Sequence, residues 1–465
     1  MKNLICKKAF WFSISVLISV GSPAVFGQSG TKPLLQDIQV YREPAQPTPA
    51  PLIKKTGSST AAPIISSPAV KTSIPVLADA VIPGYSGVLV ETLDGNVVVE
   101  SGSNSPLNPA SNVKIATAYA VLKTFGPNYR FPTNVWTDGS YEQETGTIHG
   151  NLYVSGRDPM FGFEHAVTLA SELNRMGIRT INGDLVVTDN FAMNYSTSPL
   201  GSSQALFATM DAAKRSAAAT RQWTNYSINS GKLTTQTGIP SVTFTGSVYV
   251  QPMPGNINLL FSHESTPLRE IVKTTMCYSN NFLAERLGDM VGGPYAVARL
   301  VQQNAAVLPS DFYIQTSSGL GMNRVTASAM MKLLRTLRTE LARYKMSFAD
   351  IMPVAGIDKG TLENRFDTDF STGSVVGKTG TLGNTDGGVS ALAGEINTRG
   401  GKLLFVIFNE RGSVSRFRSF QNSYISLIQG QFGGAAPIMY TPVPLDVRLA
   451  KTRIIYPDAR RMKSE

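Results

Sequence analysis

A change of residue pattern at position 135, reversed at position 261, limits the folds open to this chain more than any other feature. Before it, residues 86–101 alternate apolar and polar side chains around Asp94-Gly95, the signature of a hairpin. Ile115, Ala118, Tyr119 and Leu122 then recur at i, i+3, i+4, i+7, which predicts a helix starting near Asn108 with Pro109 in its first turn. Across 135–261, Thr, Ser and Gly surround short β-like runs such as 183–188 and 241–250, with one helical run at 167–176. Helical patterns return at 267–290, 294–307 and 326–342, and β-like runs follow at 374–381, 389–396 and 402–409. A last helix carries Phe417, Phe420, Tyr424, Leu427 and Ile428 on one face. The order predicts an α/β body, 84–134 and 262–435, interrupted by an inserted β-rich domain, 135–261.

The ends of the 465-residue chain read differently. Lys2, Lys7 and Lys8 precede an apolar run over 9–20 that is short for a bilayer span, and Val25 and Gly27 are small enough to flank a cleavage site. Residues 1–27 thus have the form of a secretory signal, with an uncleaved anchor as the alternative. Residues 28–83 are rich in Pro, Ser, Thr and Ala, a linker composition, so order is expected from about Gly84. Residues 436–465 hold four prolines and no clear period, and read as a tail. The net charge of +10 collects at these ends and leaves +2 for 84–445, which gives nucleic-acid binding no support. Cys6 lies within the signal, so Cys277 is the one cysteine of the mature chain, and neither an intramolecular disulfide nor a Cys-based metal site is available to it. The expectation is an exported protein of the periplasm or cell envelope, with membrane contact at most peripheral.

Three short motifs occur in order: Ser111-Asn112-Val113-Lys114, Ser279-Asn280-Asn281 and Lys378-Thr379-Gly380. Each pattern is weak alone, since residues 29–32, 227–229 and 55–57 repeat S-x-x-K, S-x-N and K-T-G. Context separates the sets. Ser111 and Lys114 fall three apart at a helix start, where the amine reaches the hydroxyl. A hydroxyl becomes a good nucleophile when a base takes its proton, and a neutral lysine does that if burial or a like charge suppresses its ammonium form. The first-turn N–H of Ser111 has no intrahelical partner and is free for a developing oxyanion. The blander reading of these residues, a helix-start serine with a solvated lysine, stays open on the motif alone. Lys378 and Thr379 end a β-like run, where an ammonium and a hydroxyl suit a substrate carboxylate. Gly380 would let the substrate backbone approach, and the Thr381 N–H would be a second oxyanion donor; a strand ending in a glycine turn is the plainer alternative. Ser279 and Asn281 alone read as a helix cap. Cys277 reads as a small buried residue. The three histidines, His149, His165 and His263, are scattered without metal-ligand spacing, and no G-x-S-x-G elbow is present.

With all three motifs in order, the chain resembles the class C low-molecular-mass penicillin-binding proteins, exported D-Ala-D-Ala carboxypeptidases and endopeptidases. The likeness extends to residues 150–159 (Gly-Asn-Leu-Tyr-Val-Ser-Gly-Arg-Asp-Pro), 182–187 and 353–362, and spans roughly 84–430. It implies the serine DD-peptidase/β-lactamase-like fold, an antiparallel sheet flanked by helices. It also implies acyl transfer: Ser111 attacks the carbonyl between two D-Ala residues, Lys114 is the base, and Ser279 relays a proton to the leaving amine. Asn281 positions Lys114 and substrate, Lys378 and Thr379 hold the terminal carboxylate, and water releases the acyl group. No cofactor or metal is implied. The implied partners are peptidoglycan peptides ending in D-Ala-D-Ala and β-lactam antibiotics.

Two departures stand out. The 168-residue interval from Ser111 to Ser279 is shorter than in members with two inserted domains, so one of these is expected to be missing or reduced. Where the family has an Asp before Ser-Gly-Leu, this chain has Thr316-Ser317-Ser318-Gly319-Leu320. Asp211 is a candidate acidic group for a stem-peptide pocket without a secure alignment. The rivals are a β-lactamase and a non-catalytic wall-binding protein. Class A β-lactamases carry an E-x-x-L-N glutamate, whereas between Asn281 and Lys378 only Glu285, Glu340 and Glu363 occur, none in that setting.

Overall fold

The computed structural model describes residues 68–231, 238–368 and 370–457. The signal, most of the linker, the two early motif repeats and the last eight residues lie outside them.

A five-stranded antiparallel sheet organises the body. Its strands are β1 (Tyr85–Thr92), β2 (Val97–Ser101), β3 (Val375–Leu382), β4 (Val389–Thr398) and β5 (Gly401–Glu410), in the order β3-β4-β5-β1-β2. The hairpin expected around Asp94-Gly95 is β1–β2. Strands β4 and β5 carry long apolar runs because both faces are covered. Ala391, Ala393, Val406 and Phe408 join one core with the helices, whereas Leu392, Ile396, Phe405 and Ile407 join another on the opposite face.

The first core is built around α1 (Val113–Phe125), buried continuously from Val113 to Leu122 as a helix apolar on most sides must be. Around it lie α2 (Leu268–Tyr278), α3 (Asn281–Met290), α4 (Gly293–Asn304) and α5 (Ala327–Ala342). On the far face α6 (Val414–Gln431) places Tyr424, Ile425 and Ile428 against the sheet. Order begins earlier than Gly84: Lys71 exchanges backbone hydrogen bonds with Glu100 at the edge of β2, and Leu77 is fully buried. An edge strand leaves unpaired backbone groups that a preceding segment can satisfy.

The inserted stretch has its own core, including Val135, Leu152, Leu169, Leu185 and Phe261. One sheet there runs Val248–Val250, Leu185–Val187, Leu152–Gly156, Pro132–Thr137, Asn258–Glu264, Arg453–Ile455. A smaller one joins Ser140–Glu142, Thr147–His149, Thr180–Asn182 and Thr243–Phe244. The expected helix is present as Phe163–Arg175. Two more, Pro199–Met210 and Ala217–Asn229, were not expected from the sequence. They are rich in Ser, Ala and Thr and bury few large side chains, so they carry little periodic signal. The tail also differs from expectation. It includes a helix, Leu445–Leu449, and the edge strand of the larger inserted sheet, where His263 faces Ile454.

Candidate active site

The three motifs meet where α1, the α2–α3 turn and β3 converge. Ser111 lies in a 3₁₀ turn, Ala110–Asn112, that runs into α1 and is preceded by Pro109. The expected helix start is thus a tighter turn with α1 beginning at Val113. Ala110, with φ 47°, is left-handed, a strained setting for a side chain. The turn is held from several sides. Asn108 Oδ1 accepts the Ala110 N–H at 3.0 Å, and Asn108 Nδ2 donates to Asp386 at 2.8 Å. A Cβ at Gly319 would lie 2.0 Å from Ala110 O, and one at Gly380 would lie 2.6 Å from Pro109 O. The close approach at Gly380 is therefore made by the chain's own turn, which is why β3 has no side chain there.

Lys114, one turn on and 1% exposed, donates from Nζ to Ser111 Oγ at 3.0 Å, Asn281 Oδ1 at 2.7 Å and the Ser318 carbonyl at 2.7 Å. Asn281 reaches it because α2 and α3 are separated by one sharp turn. Ser279, with φ 54°, ends α2 in the left-handed conformation, and Asn280 caps α3 by accepting the Leu283 N–H at 2.9 Å. The cap that S-x-N suggests is thus supplied by its middle residue. That leaves Ser279 and Asn281 to face two different lysines.

The second lysine is Lys378 on β3, fully buried, which donates to Ser279 Oγ at 2.9 Å and to the Thr379 carbonyl at 2.7 Å. Thr379 is buried and Thr381 half-buried. Sequence reading missed Arg418 on α6, whose guanidinium donates to Thr381 Oγ1 at 2.9 Å. Nothing in a long basic helix marks one arginine as pointing toward a strand 37 residues upstream.

The departure at Thr316 has a local explanation. Its hydroxyl accepts the Gly319 N–H at 3.0 Å, the bond an aspartate could also accept, and adds a donation to Leu320 O at 2.9 Å that a carboxylate could not make. Asp211 is committed elsewhere, accepting the Ala213 N–H at 2.9 Å and pairing with Lys214 at 3.3 Å. Burial pushes the Cys277 thiol up to about 12, so it is not a nucleophile. His165 of the inserted stretch and His263, just beyond it on the strand Asn258–Glu264, are buried rings 5.1 Å apart, and His149 is exposed beside Glu142.

The profile of the D-Ala-D-Ala carboxypeptidase 3 (S13) family matches residues 75–219 and 211–423. A D-alanyl-D-alanine carboxypeptidase from Actinomadura sp. (strain R39) is 25% identical over 448 residues, covering 75% of this chain and 82% of that protein. Among solved structures, Bd3459, a predatory peptidoglycan endopeptidase from Bdellovibrio bacteriovorus, superposes with a TM-score of 0.66 at 21% identity, over 81% of this chain and 100% of that one. The penicillin G-acylated form of the same endopeptidase, in complex with an immunity protein, gives 0.64 at 22% identity, over 77% and 96%. These structural likenesses establish a shared fold.

Proposed function

The chain belongs to the D-Ala-D-Ala carboxypeptidase 3 (S13) family, and from that premise we propose how its residues carry out the family's reaction. The protein is a serine-type D-Ala-D-Ala carboxypeptidase, a hydrolase of peptidoglycan. The observation that carries the residue-level reading is one amine nitrogen, Lys114 Nζ, touching both Ser111 Oγ and Asn281 Oδ1. These residues are 170 positions apart, and a solvated surface lysine would touch neither.

In its neutral form Lys114 takes the Ser111 proton as Oγ adds to the carbonyl carbon between two D-Ala residues. The N–H groups of Ser111 and Thr381 receive the oxyanion. Collapse breaks the C–N bond, and Ser279 relays to the leaving nitrogen the proton that Lys114 removed. The hydroxyl proton of Ser279 goes to the nitrogen and the proton on Lys114 replaces it, which returns Lys114 to its neutral form, while Ser279 Oγ also accepts from Lys378. Free D-Ala departs, and water then cleaves the serine ester. Lys378 and Thr379 hold the terminal carboxylate of the substrate, and Gly380 keeps β3 close to the Ser111 turn. Penicillin, a mimic of D-Ala-D-Ala, meets the same hydroxyl. The body of the fold, 84–134 and 262–435, carries this chemistry, and the inserted stretch 135–261 with the tail strand borders it. The protein works outside the cytoplasm, in the periplasm or cell envelope. The signal-like first 27 residues support this.

The test is to incubate the purified protein with labelled penicillin and map the modified peptide. The label should sit on Ser111 and vanish in Ser111→Ala. A label that persists in that variant, or maps to Ser29 or Ser279, overturns the assignment.

A further inference from the structure

We infer that Glu285 is a positioning residue for acylation, holding the backbone carbonyl that orients Lys114; the inference rests on the reading of Lys114 as the base. Glu285 stands one helical turn after Asn281 on α3, so the two side chains share a face. Asn281 contacts the Lys114 amine directly. Glu285 reaches it through the 316–320 turn. Its two carboxylate oxygens accept the backbone N–H groups of Ser317 at 3.0 Å and Ser318 at 2.9 Å. The carbonyl of Ser318 accepts from Lys114 Nζ at 2.7 Å, and that of Ser317 accepts from Thr117 Oγ1 on α1 at 2.7 Å. The turn is thus clamped between α1 and α3. Glycine at 288 lets it lie flat on α3, since a Cβ there would stand 2.0 Å from Ser317 Oγ.

The geometry matters because of what a base must present. A neutral amine has two N–H bonds and one lone pair. If Asn281 Oδ1 and Ser318 O take the two N–H bonds, the lone pair is left facing the Ser111 hydroxyl. Without the carboxylate, the two amides lose their acceptors and the turn its tie to α3, the peptide unit of the Ser318 carbonyl keeps only the Gly319 N–H bond to Thr316 on its own side, and the lone pair is less tightly fixed. Displacing a reacting group by about 1 Å costs on the order of 100-fold.

The test compares wild type with Glu285→Gln, which keeps shape but offers an NH₂ where one backbone N–H needs an acceptor. Acylation by a chromogenic cephalosporin is followed across reagent concentrations, separating the limiting first-order constant from the half-saturating concentration. The variant should show a limiting constant about 10- to 100-fold lower. Its half-saturating concentration should stay within about threefold, and its Tm near wild type. If Glu285→Gln is not recovered folded, Glu285→Asp carries the same test, since it keeps both oxygens but withdraws them by one methylene. A limiting constant within twofold of wild type overturns the inference, as does a loss that falls equally on both parameters. Wild-type acylation mapped to Ser111 separates the outcomes. If the wild type is not acylated there, the reading of Lys114 fails; if it is, and the variant is equally fast, only the role of Glu285 fails.

Discussion

Three lysines of the body and one carboxyl of the inserted stretch, Asp158, are buried on opposite terms. In the body, three lysines are almost wholly enclosed, and each side-chain nitrogen is given acceptors. Lys114 has Ser111, Asn281 and Ser318 O; Lys378 has Ser279 and Thr379 O; Lys273 on α2 has the carbonyls of Ala349 and Met352 and the carboxylate of Asp358, each within 2.8 Å. In the inserted stretch, Asp158 is equally enclosed, yet Oδ1 receives one backbone N–H from Met160 and Oδ2 has no hydrogen-bond partner among the described residues. Burial, with the Glu164 charge as a smaller contribution, pushes its carboxyl up to about 7. The buried lysines are thus accommodated by supplied partners, and Asp158 by favouring the neutral acid. The body also uses the same residue type for two purposes. Lys273 faces a carboxylate and ties α2 to the 349–358 segment, whereas the lysines in the motifs face the hydroxyls of Ser111 and Ser279, to which the proposed mechanism assigns the chemistry.

The largest effect should come from Lys114→Ala. Losing the base should slow penicillin acylation by about 10²–10⁴-fold, measured as the rate of mass gain, with the fold retained by circular dichroism. A variant acylated at the wild-type rate would place Lys114 with Lys273 as a structural lysine. The converse substitution, Lys273→Met, leaves the Asp358 carboxylate buried without its cation. It should cost about 3–5 kcal/mol in chemical denaturation, with the per-molecule acylation rate of the folded fraction unchanged. Unaltered stability would mean that the pair is dispensable to the fold.

Lys378→Ala should lower kcat/KM for peptides ending in free D-Ala by about 10- to 100-fold, and amidating that terminus should cost the variant less than it costs wild type. Equal penalties would remove Lys378 as the carboxylate's partner. The smallest effect concerns the inserted stretch. Because the Asp158 carboxyl is raised from 3.8 to about 7 in the folded protein, its contribution to stability is whole below about pH 4 and is lost as pH rises through 7. Asp158→Asn should remove that loss, so wild-type Tm should fall relative to the variant between pH 5 and pH 8. Parallel Tm curves would mean that the carboxyl ionises without penalty.

The same contrast explains what could be read from the sequence. In the body, the proposed chemistry calls for particular residue types at short spacing, so Ser111, Lys114, Ser279, Asn281 and the Lys378–Thr381 strand stand out together. The helices around them announced themselves because each buries large apolar side chains at regular intervals. What stayed hidden were contacts that close through space. The bonds from Glu285 to the Ser317 and Ser318 amides, and from Arg418 to Thr381, join residues with no shared motif. In the inserted stretch, strands such as Thr180–Asn182 and Thr243–Phe244 are two or three residues long, below the length at which alternation can be recognised. The edge strand Arg453–Ile455 comes from a proline-bearing tail whose pairing depends on a partner nearly 200 residues upstream.

The proposed mechanism makes a serine ester at Ser111 and releases it without a dedicated water-activating glutamate. The structure gives all three candidate glutamates other work: Glu285 binds two backbone amides, Glu340 pairs with Lys123 and Arg343, and Glu363 pairs with Lys359. General-base help is worth roughly 10²–10⁴-fold, so water should attack the penicilloyl ester slowly. The peptide ester should turn over faster, because its D-Ala leaves and makes room for water while the opened lactam stays attached. The most direct measurement is intact-mass spectrometry after a brief penicillin pulse, with free D-Ala released from a D-Ala-D-Ala peptide quantified in parallel. The account predicts an adduct on Ser111 that lasts minutes or longer, beside steady D-Ala release. An adduct that vanishes within seconds, with many turnovers of penicillin and no free D-Ala, would contradict it.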